Sequence, residues 1–316
     1  MPTPNTGVLF LNDLPMKRLG NLAGQIENWG YNTLWMADER FFREVYSCLT
    51  VCAHATNRIN LGTCVTDPYT RHPALTAMAI ATIDEISKGR AILGMGAGIS
   101  GFAAMGIKWD RPARALRESV ELIRALLKGE KVDYNGDIIK FKDGELNFKP
   151  IRSEIPIYLA SNSPMGLRAG GRVADGVIAS SCANDATVGY IKSQISKGAS
   201  SANRDLSKIE IVSRLNCCIS SDSQAARQPL RRTVVQTLIA YTGFAVESGV
   251  EFPASLKTML EDTGYTHDPK TLDTLERDLP DSFIDIFTLA GTVEEVADRV
   301  IKLAASGVTE IMIRPL

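Results

Sequence analysis

Short runs of nearly uninterrupted apolar residues recur along the chain, and a longer helical pattern follows most of them. The runs cover residues 7–11, 33–37, 60–65, 91–95, 155–160, 176–179, 209–216 and 310–314. A strand wetted on one face alternates apolar and polar side chains, whereas a parallel-sheet strand, covered on both faces, is apolar throughout. Helical stretches fall at 15–29, 46–56, 73–86, 111–128, 164–173, 184–199 and 293–306. Several carry start signals. Thr292 with Glu295 spells a capping box, Asp110 precedes Arg111-Pro112, and Ser163 stands before a first-turn proline, Pro164. Gly30, Gly129 and Gly307 occupy the place where a helix closes on glycine. Strands alternating with helices in this number predict an α/β fold, an eightfold β/α (TIM) barrel rather than an open doubly wound sheet.

Two stretches fall outside the alternation. Residues 132–148, before the fifth strand, read as a β-hairpin with Asn135-Gly136 at its turn. Residues 221–290, after the seventh strand, are too long for a bare loop and read as a helical insertion near the barrel mouth. A single barrel takes ~250 residues, so the hairpin and insertion account for the rest of the length. Residues 1–316 are therefore expected to form one domain, with 221–290 an elaboration of it.

Charge and cysteine usage narrow the function classes. The chain has 35 Lys+Arg against 36 Asp+Glu and no basic block, so nucleic acid is not an expected partner. No apolar run approaches the ~18 residues of a membrane span. The opening MPTPNTGVLFLND lacks the cationic flank and cleavage site of a secretory signal, so a cytoplasmic location is expected. Cysteines at 48, 52, 64, 182, 217 and 218 match neither a disulfide framework nor paired CxxC zinc ligands. Histidines occur only at 54, 72 and 267, and no metal is expected.

In a barrel of this kind the chemistry sits at the C-terminal ends of the strands. After the second run comes Ala37-Asp38-Glu39-Arg40-Phe41-Phe42-Arg43, and after the third Thr63-Cys64-Val65-Thr66-Asp67-Pro68-Tyr69-Thr70-Arg71-His72-Pro73. Asp38 and Glu39 are the acid/base candidates, since neighbouring arginines tune a strand-end carboxylate; an ordinary loop salt bridge is the competing reading. Gly96, Gly98 and Gly101 spell GxGxxG after the fourth strand. No strand-end acid lies ~20 residues on, which argues against a dinucleotide fold. A backbone pressed against a flat ligand and a tight structural turn both remain open there. Ser161-Asn162-Ser163 precedes a helix start, where free N–H groups and the helix dipole favour an anion. With Ser180 and Ser181 it reads either as a phosphate cradle or as plain helix capping.

The segment VTDPYTRHP (65–73), followed by AIATIDEISKGRAILGMGAG (79–98), resembles the bacterial luciferase-like flavin-dependent oxidoreductases. Within them it is most similar to the branch of coenzyme F420-dependent 5,10-methylenetetrahydromethanopterin reductases. SNSPMGLRAGGRVADGVIAS (161–180) and a hairpin ending NFKP (147–150) fit the same family. The resemblance implies FMN or coenzyme F420 at the strand C-termini. It places a non-prolyl cis peptide behind the ring at Cys64-Val65, with Thr63 alongside. It runs Gly96, Ala97 and Gly98 along the ring and ribityl chain, and sets Ser161, Asn162, Ser163, Ser180 and Ser181 around the phosphate.

The chain departs from the branch at two points. Leu9 stands where the reductases carry a first-strand glutamate, and Asp38-Glu39 stands where deazaflavin enzymes of the family often show Asp-His. Glu39 is the proton donor that could replace that histidine. The expected function is flavin-dependent hydride transfer or oxygenation of a small organic substrate. Phe41, Phe42 and Tyr69 would line the substrate side, Arg43 or Arg71 would hold an anionic group, and the insertion would act as a lid. An F420-dependent pterin-type reductase, a monooxygenase fed reduced FMN by a partner, and a non-catalytic flavin-binding protein are the alternatives. NAD(P)H or a flavin reductase would be the electron source, and a homodimer or larger assembly is expected.

Overall fold

The computed structural model describes residues 4–98, 100–253, 256–258, 260 and 268–316. Ile99, His267, the first three residues of the opening segment and part of the expected 221–290 insertion lie outside them. The strands are β1 (Asn5–Phe10), β2 (Thr33–Met36), β3 (Asn60–Thr63), β4 (Ala91–Gly96), β5 (Val132–Asn135), β6 (Lys140–Gly144), β7 (Ile157–Ala160), β8 (Gly176–Ser180), β9 (Glu210–Ile219), β10 (Leu289–Gly291) and β11 (Glu310–Pro315). The parallel strands β1–β4, β7–β9 and β11 give the chain its eightfold β/α barrel fold.

The chain divides into two compact units. The larger comprises Asn5–Ile178 and Ile195–Glu210. In it β1, β2, β3, β4, β7 and β8 pair in that order, all parallel, in registers such as Gly7↔Thr33, Thr33↔Asn60, Leu61↔Ala91, Leu93↔Ile157 and Tyr158↔Gly176. Parallel neighbours need a crossover, supplied here by the helices Met16–Asn28, Val45–Ala55, Pro73–Ile86, Pro112–Leu127 and Pro164–Val173. Every residue of β2 and β4 is buried, as two covered faces require. The smaller unit is chiefly Ala179–Gln194 and Ile211–Leu316. There β9 lies between β10 and β11, both parallel to it.

Buried carboxylates hold several turns of the larger unit in place. Glu27 accepts the backbone N–H groups of Asn57, Arg58 and Ile59 at 2.9, 2.6 and 2.9 Å, fixing the chain just before β3. Burial alone would raise this carboxyl, but the three amides outweigh it and hold it below the ordinary carboxylate range.

Local corrections concern turns and ends. Asn135 pairs with Lys140 and so closes β5, and the turn is residues 136–139 rather than Asn135-Gly136. A two-residue hairpin turn would need positive φ at Asn135 (type II′) or at both residues (type I′), and neither has it. Instead Glu118, from the helix Pro112–Leu127, accepts the N–H groups of Asp137, Ile138 and Ile139 and stabilises a longer turn. Asp110 does not cap that helix: the N-cap is Arg111, left-handed at φ 41°, and Pro112 takes the first helical position. The Thr292–Glu295 capping box, the Ser163 cap and the three closing glycines form as expected. Described parts of the expected insertion are helical at Ser223–Arg227, Arg231–Ala240, Thr242–Glu247, Pro269–Asp278 and Asp281–Phe287. Its last residues are instead the strand β10, too short to show a period.

Candidate active site

One largely covered arginine organises the loops after β2 and β3. Arg40 donates from Nη1 to the Asp38 carbonyl at 2.8 Å and to its Oδ1 at 2.9 Å, and from Nη2 to Asp67 Oδ2. The Arg40 side chain is 13% exposed and that of Asp67 is fully buried. Asp67 opens an Asx turn, its carboxylate accepting the N–H groups of Tyr69 and Thr70 at 2.8 Å and the Thr70 hydroxyl at 2.7 Å. The paired charges thus carry the further hydrogen bonds that a buried ion pair requires.

The loop after β4 rests on the same group. Gly98 and Gly101 have φ of 62° and 70°, a region glycine enters freely. A Cβ on Gly98 would stand 2.9 Å from Asp67 Cβ, and one on Gly101 2.8 Å from Arg40 Cβ. Gly98 and Gly101 therefore serve close packing of three loops, which supports the tight-turn reading there. Gly96 lies against the Val65 side chain. The peptide Cys64-Val65 is cis. Thr63, just before it, is buried and donates from its hydroxyl to the Gly94 carbonyl at 2.8 Å. The Ala97 carbonyl accepts Trp109 Nε1–H at 3.0 Å.

The other candidates differ in how free they are. Glu39 accepts the hydroxyl of Ser100, so its carboxylate faces the β4 loop. Phe41 and Phe42 are exposed, at 77% and 49%, and Phe41 has a φ of 67°. Tyr69 donates its hydroxyl to the Asp110 carbonyl at 2.5 Å and packs edge-on to Phe102. Arg43 donates to the Asp13 carbonyl at 2.6 Å, and Arg71 pairs with Glu44 at 2.9 Å. Both guanidinium groups already have partners. His72 caps the helix Pro73–Ile86 through Nδ1, leaving Nε2 against the Lys140 carbonyl at 3.1 Å.

Ser163 caps the helix Pro164–Val173 by accepting the Gly166 N–H, and Ser161 accepts the Ser163 N–H, both at 3.1 Å. Asn162 between them is buried. In the smaller unit, Ser181 is buried at φ 59° and donates its N–H to the Arg214 carbonyl at 2.9 Å, while the Ser180 carbonyl accepts the Cys182 thiol.

Buried polar atoms without a hydrogen-bond partner are rare in folded proteins and call for a reason. Among the described residues of the larger unit such atoms are Asn12 Oδ1, Arg40 Nε, Tyr46 OH, Thr66 Oγ1, Thr76 Oγ1 and Arg117 Nε, and all but the last follow β1, β2 or β3. The Tyr46 hydroxyl is close enough to Thr66 for these two to share a hydrogen bond with each other, and burial pushes the phenol well above the usual range despite the nearby Arg71 charge. Donors and acceptors held ready at the strand C-termini suit a planar polar cofactor whose ring carries carbonyl and N–H groups. Asp67, Thr66 and Tyr46 were not singled out from sequence. Asp-Pro directly after a strand was the available signal, since Asp before Pro opens an Asx turn. Among the described residues no group of three His, Cys, Asp or Glu could hold a metal ion, and no helix is long and apolar enough to cross a membrane.

Comparisons with known proteins agree with this architecture. The chain is 36% identical over 309 residues to a 5,10-methylenetetrahydromethanopterin reductase of Methanolobus tindarius, covering 97% of this chain and 92% of that one. It is 34% identical to the corresponding enzyme of Archaeoglobus fulgidus, over 97% and 92% of the two chains. The solved structure of the coenzyme F420-dependent tetrahydromethanopterin reductase of Methanopyrus kandleri superposes with a TM-score of 0.86 at 28% identity, over 98% of this chain and 93% of that one. The family model described as luciferase-like monooxygenase matches residues 3–310. With the barrel fold, this establishes that the chain is an oxidoreductase belonging to the luciferase-like monooxygenase family.

Proposed function

We propose that this oxidoreductase works with coenzyme F420 on a small one-carbon-carrying pterin-type substrate. The observation that carries the reading is the group of buried polar atoms after β1, β2 and β3 that have no partner or only one another. Similarity to methylenetetrahydromethanopterin reductases over nearly the whole chain supports the substrate class. The bound deazaflavin would supply a hydride to the substrate carbon.

Thr63, Cys64 and Val65 would back the ring, with Gly96, Ala97 and Gly98 beside it. Ser161, Asn162 and Ser163 would hold phosphate through the helix start, and the family resemblance gives Ser180 and Ser181 the same role. Leu9 is buried in β1 and offers no acid. Glu39 would then protonate the substrate nitrogen released as the carbon is reduced, with Asp38 beside it in support. Phe41, Phe42 and Tyr69 would exclude water from the substrate side. Arg43 and Arg71 would reach a substrate anion only by leaving their present partners.

The missing first-strand acid favours a second reading, an FMN enzyme fed by NAD(P)H or a flavin reductase. In either case the chain would act in the cytosol as one functional domain and as a homodimer or larger. Anaerobic mixing of the protein with reduced F420 and methylenetetrahydromethanopterin tests the first reading. Appearance of oxidised F420 absorption near ~420 nm supports it; an inert mixture, alongside substrate-dependent oxygen uptake with reduced FMN, selects the second.

A further inference from the structure

Arg40 moves no proton or hydride in the chemistry proposed above, yet the loops after β2, β3 and β4 all meet on it. Its guanidinium bridges Asp38 and Asp67, and its Cβ and Cγ form the surface on which Gly101 closes the third loop. Its side chain is nearly buried and both terminal nitrogens are engaged, so it is not a free hook for a substrate anion. Glu39 lies in the chain between Asp38 and Arg40, and the Ser100 hydroxyl ties Glu39 to the loop that Gly101 ends.

We propose that Arg40 is a positioning residue. It locks the three strand-end loops in one arrangement, so that the Glu39 carboxylate and the backbone of residues 96–98 face the bound ring together. The inference rests on the cofactor reading above. A planar fork can bond two carboxylates on separate loops while presenting a flat stem for packing; a lysine ammonium brings charge without that fixed direction.

The test uses the full chain, with Arg40→Gln, Arg40→Lys and the charge-balanced pair Arg40→Gln/Asp67→Asn. Cys64, half-buried at the start of the loop after β3, reports loop opening through its maleimide reaction rate, with Cys218 as the reference thiol. The visible circular dichroism and affinity of added F420 and FMN report ring placement. Arg40→Gln is expected to speed Cys64 labelling about tenfold over Cys218, the signature of local opening. It should also weaken cofactor binding about tenfold and collapse the dichroism band. Arg40→Lys should restore Cys64 protection in part without restoring the band, which a purely structural charge role would restore. If Arg40→Gln does not fold, the charge-balanced pair carries the same expectation, and the Arg40→Lys split decides if neither folds. A folded variant with labelling and affinity within about twofold of wild type overturns the proposal, as does full recovery in Arg40→Lys. Failure of the wild type to bind either cofactor removes the cofactor reading alone, since the Cys64 rates still decide whether Arg40 locks the loops.

Discussion

Arg71 is held by Glu44: its Nη2 lies 2.9 Å from the Glu44 carboxylate, and its guanidinium carbon sits 4.8 Å over the Tyr46 ring. Glu44 also caps the helix Val45–Ala55 by accepting the Ser47 N–H at 2.7 Å. The contact joins the β3 loop to the start of that helix. Both groups are partly solvated, so Arg71→Ala is expected to cost only about 0.5–1 kcal/mol of stability. If Arg71 acts only here, substrate KM in that variant stays near wild type. A steep rise in KM with unchanged stability would show that Arg71 leaves Glu44 to hold the substrate.

The Arg40–Asp67 pair is far more sensitive. Removing Asp67 leaves a nearly buried guanidinium with Asp38 alone as counter-charge and orphans the Tyr69 and Thr70 amides. Asp67→Ala is expected to cost about 3–5 kcal/mol. Asp67→Asn should cost less, because its amide oxygen still accepts those N–H groups. Urea unfolding of the two variants checks the order.

Glu118 and Glu27 make stability fall in acid. Burial by itself raises each carboxyl, but three backbone N–H donors lower it overall. A carboxyl lower in the folded than in the unfolded state stabilises the fold above its unfolded pKa. That contribution disappears as pH falls through the folded value. Glu118→Gln should therefore destabilise near neutral pH by about 1–3 kcal/mol and flatten the acid limb of a stability-against-pH curve. An unchanged limb would contradict the assignment.

Burial pushes the Cys48 thiol up to about 11 and that of Cys52 to about 12. Since the thiolate is the reactive form, both should resist alkylation of the native protein at pH 8. Cys64 and Cys218, half-buried, should label first. Peptide mapping after a short iodoacetamide pulse gives the order.

Ser163 bears two readings that can be separated. Its helix cap predicts a loss of about 1 kcal/mol in Ser163→Ala. A phosphate contact predicts in addition that FMN binding weakens while binding of riboflavin, which has no phosphate, does not. Equal weakening of both leaves only the cap.

The barrel was legible because parallel strands buried on both faces must be apolar nearly throughout, and 34–36, 91–96 and 311–313 are. β10 was not, since Leu-Ala-Gly is too short to carry a period. The hairpin turn was misplaced because its stabiliser, Glu118, lies in a preceding helix and answers to no local rule. The site divided the same way. The strand-end loops could be named from topology, but Arg40 and Asp67 are 27 residues apart and meet only in three dimensions. Arg43 and Arg71 read as free cations in sequence because their partners, the Asp13 carbonyl and Glu44, are set by the path of the backbone.

Equilibrium titration of the purified chain with coenzyme F420 and, separately, FMN tests the central claim most directly. Saturable, one-to-one quenching of one chromophore, weakened about tenfold in the charge-balanced Arg40→Gln/Asp67→Asn variant, is the result expected. No binding of either by the folded wild-type protein at concentrations up to about 1 mM would contradict it.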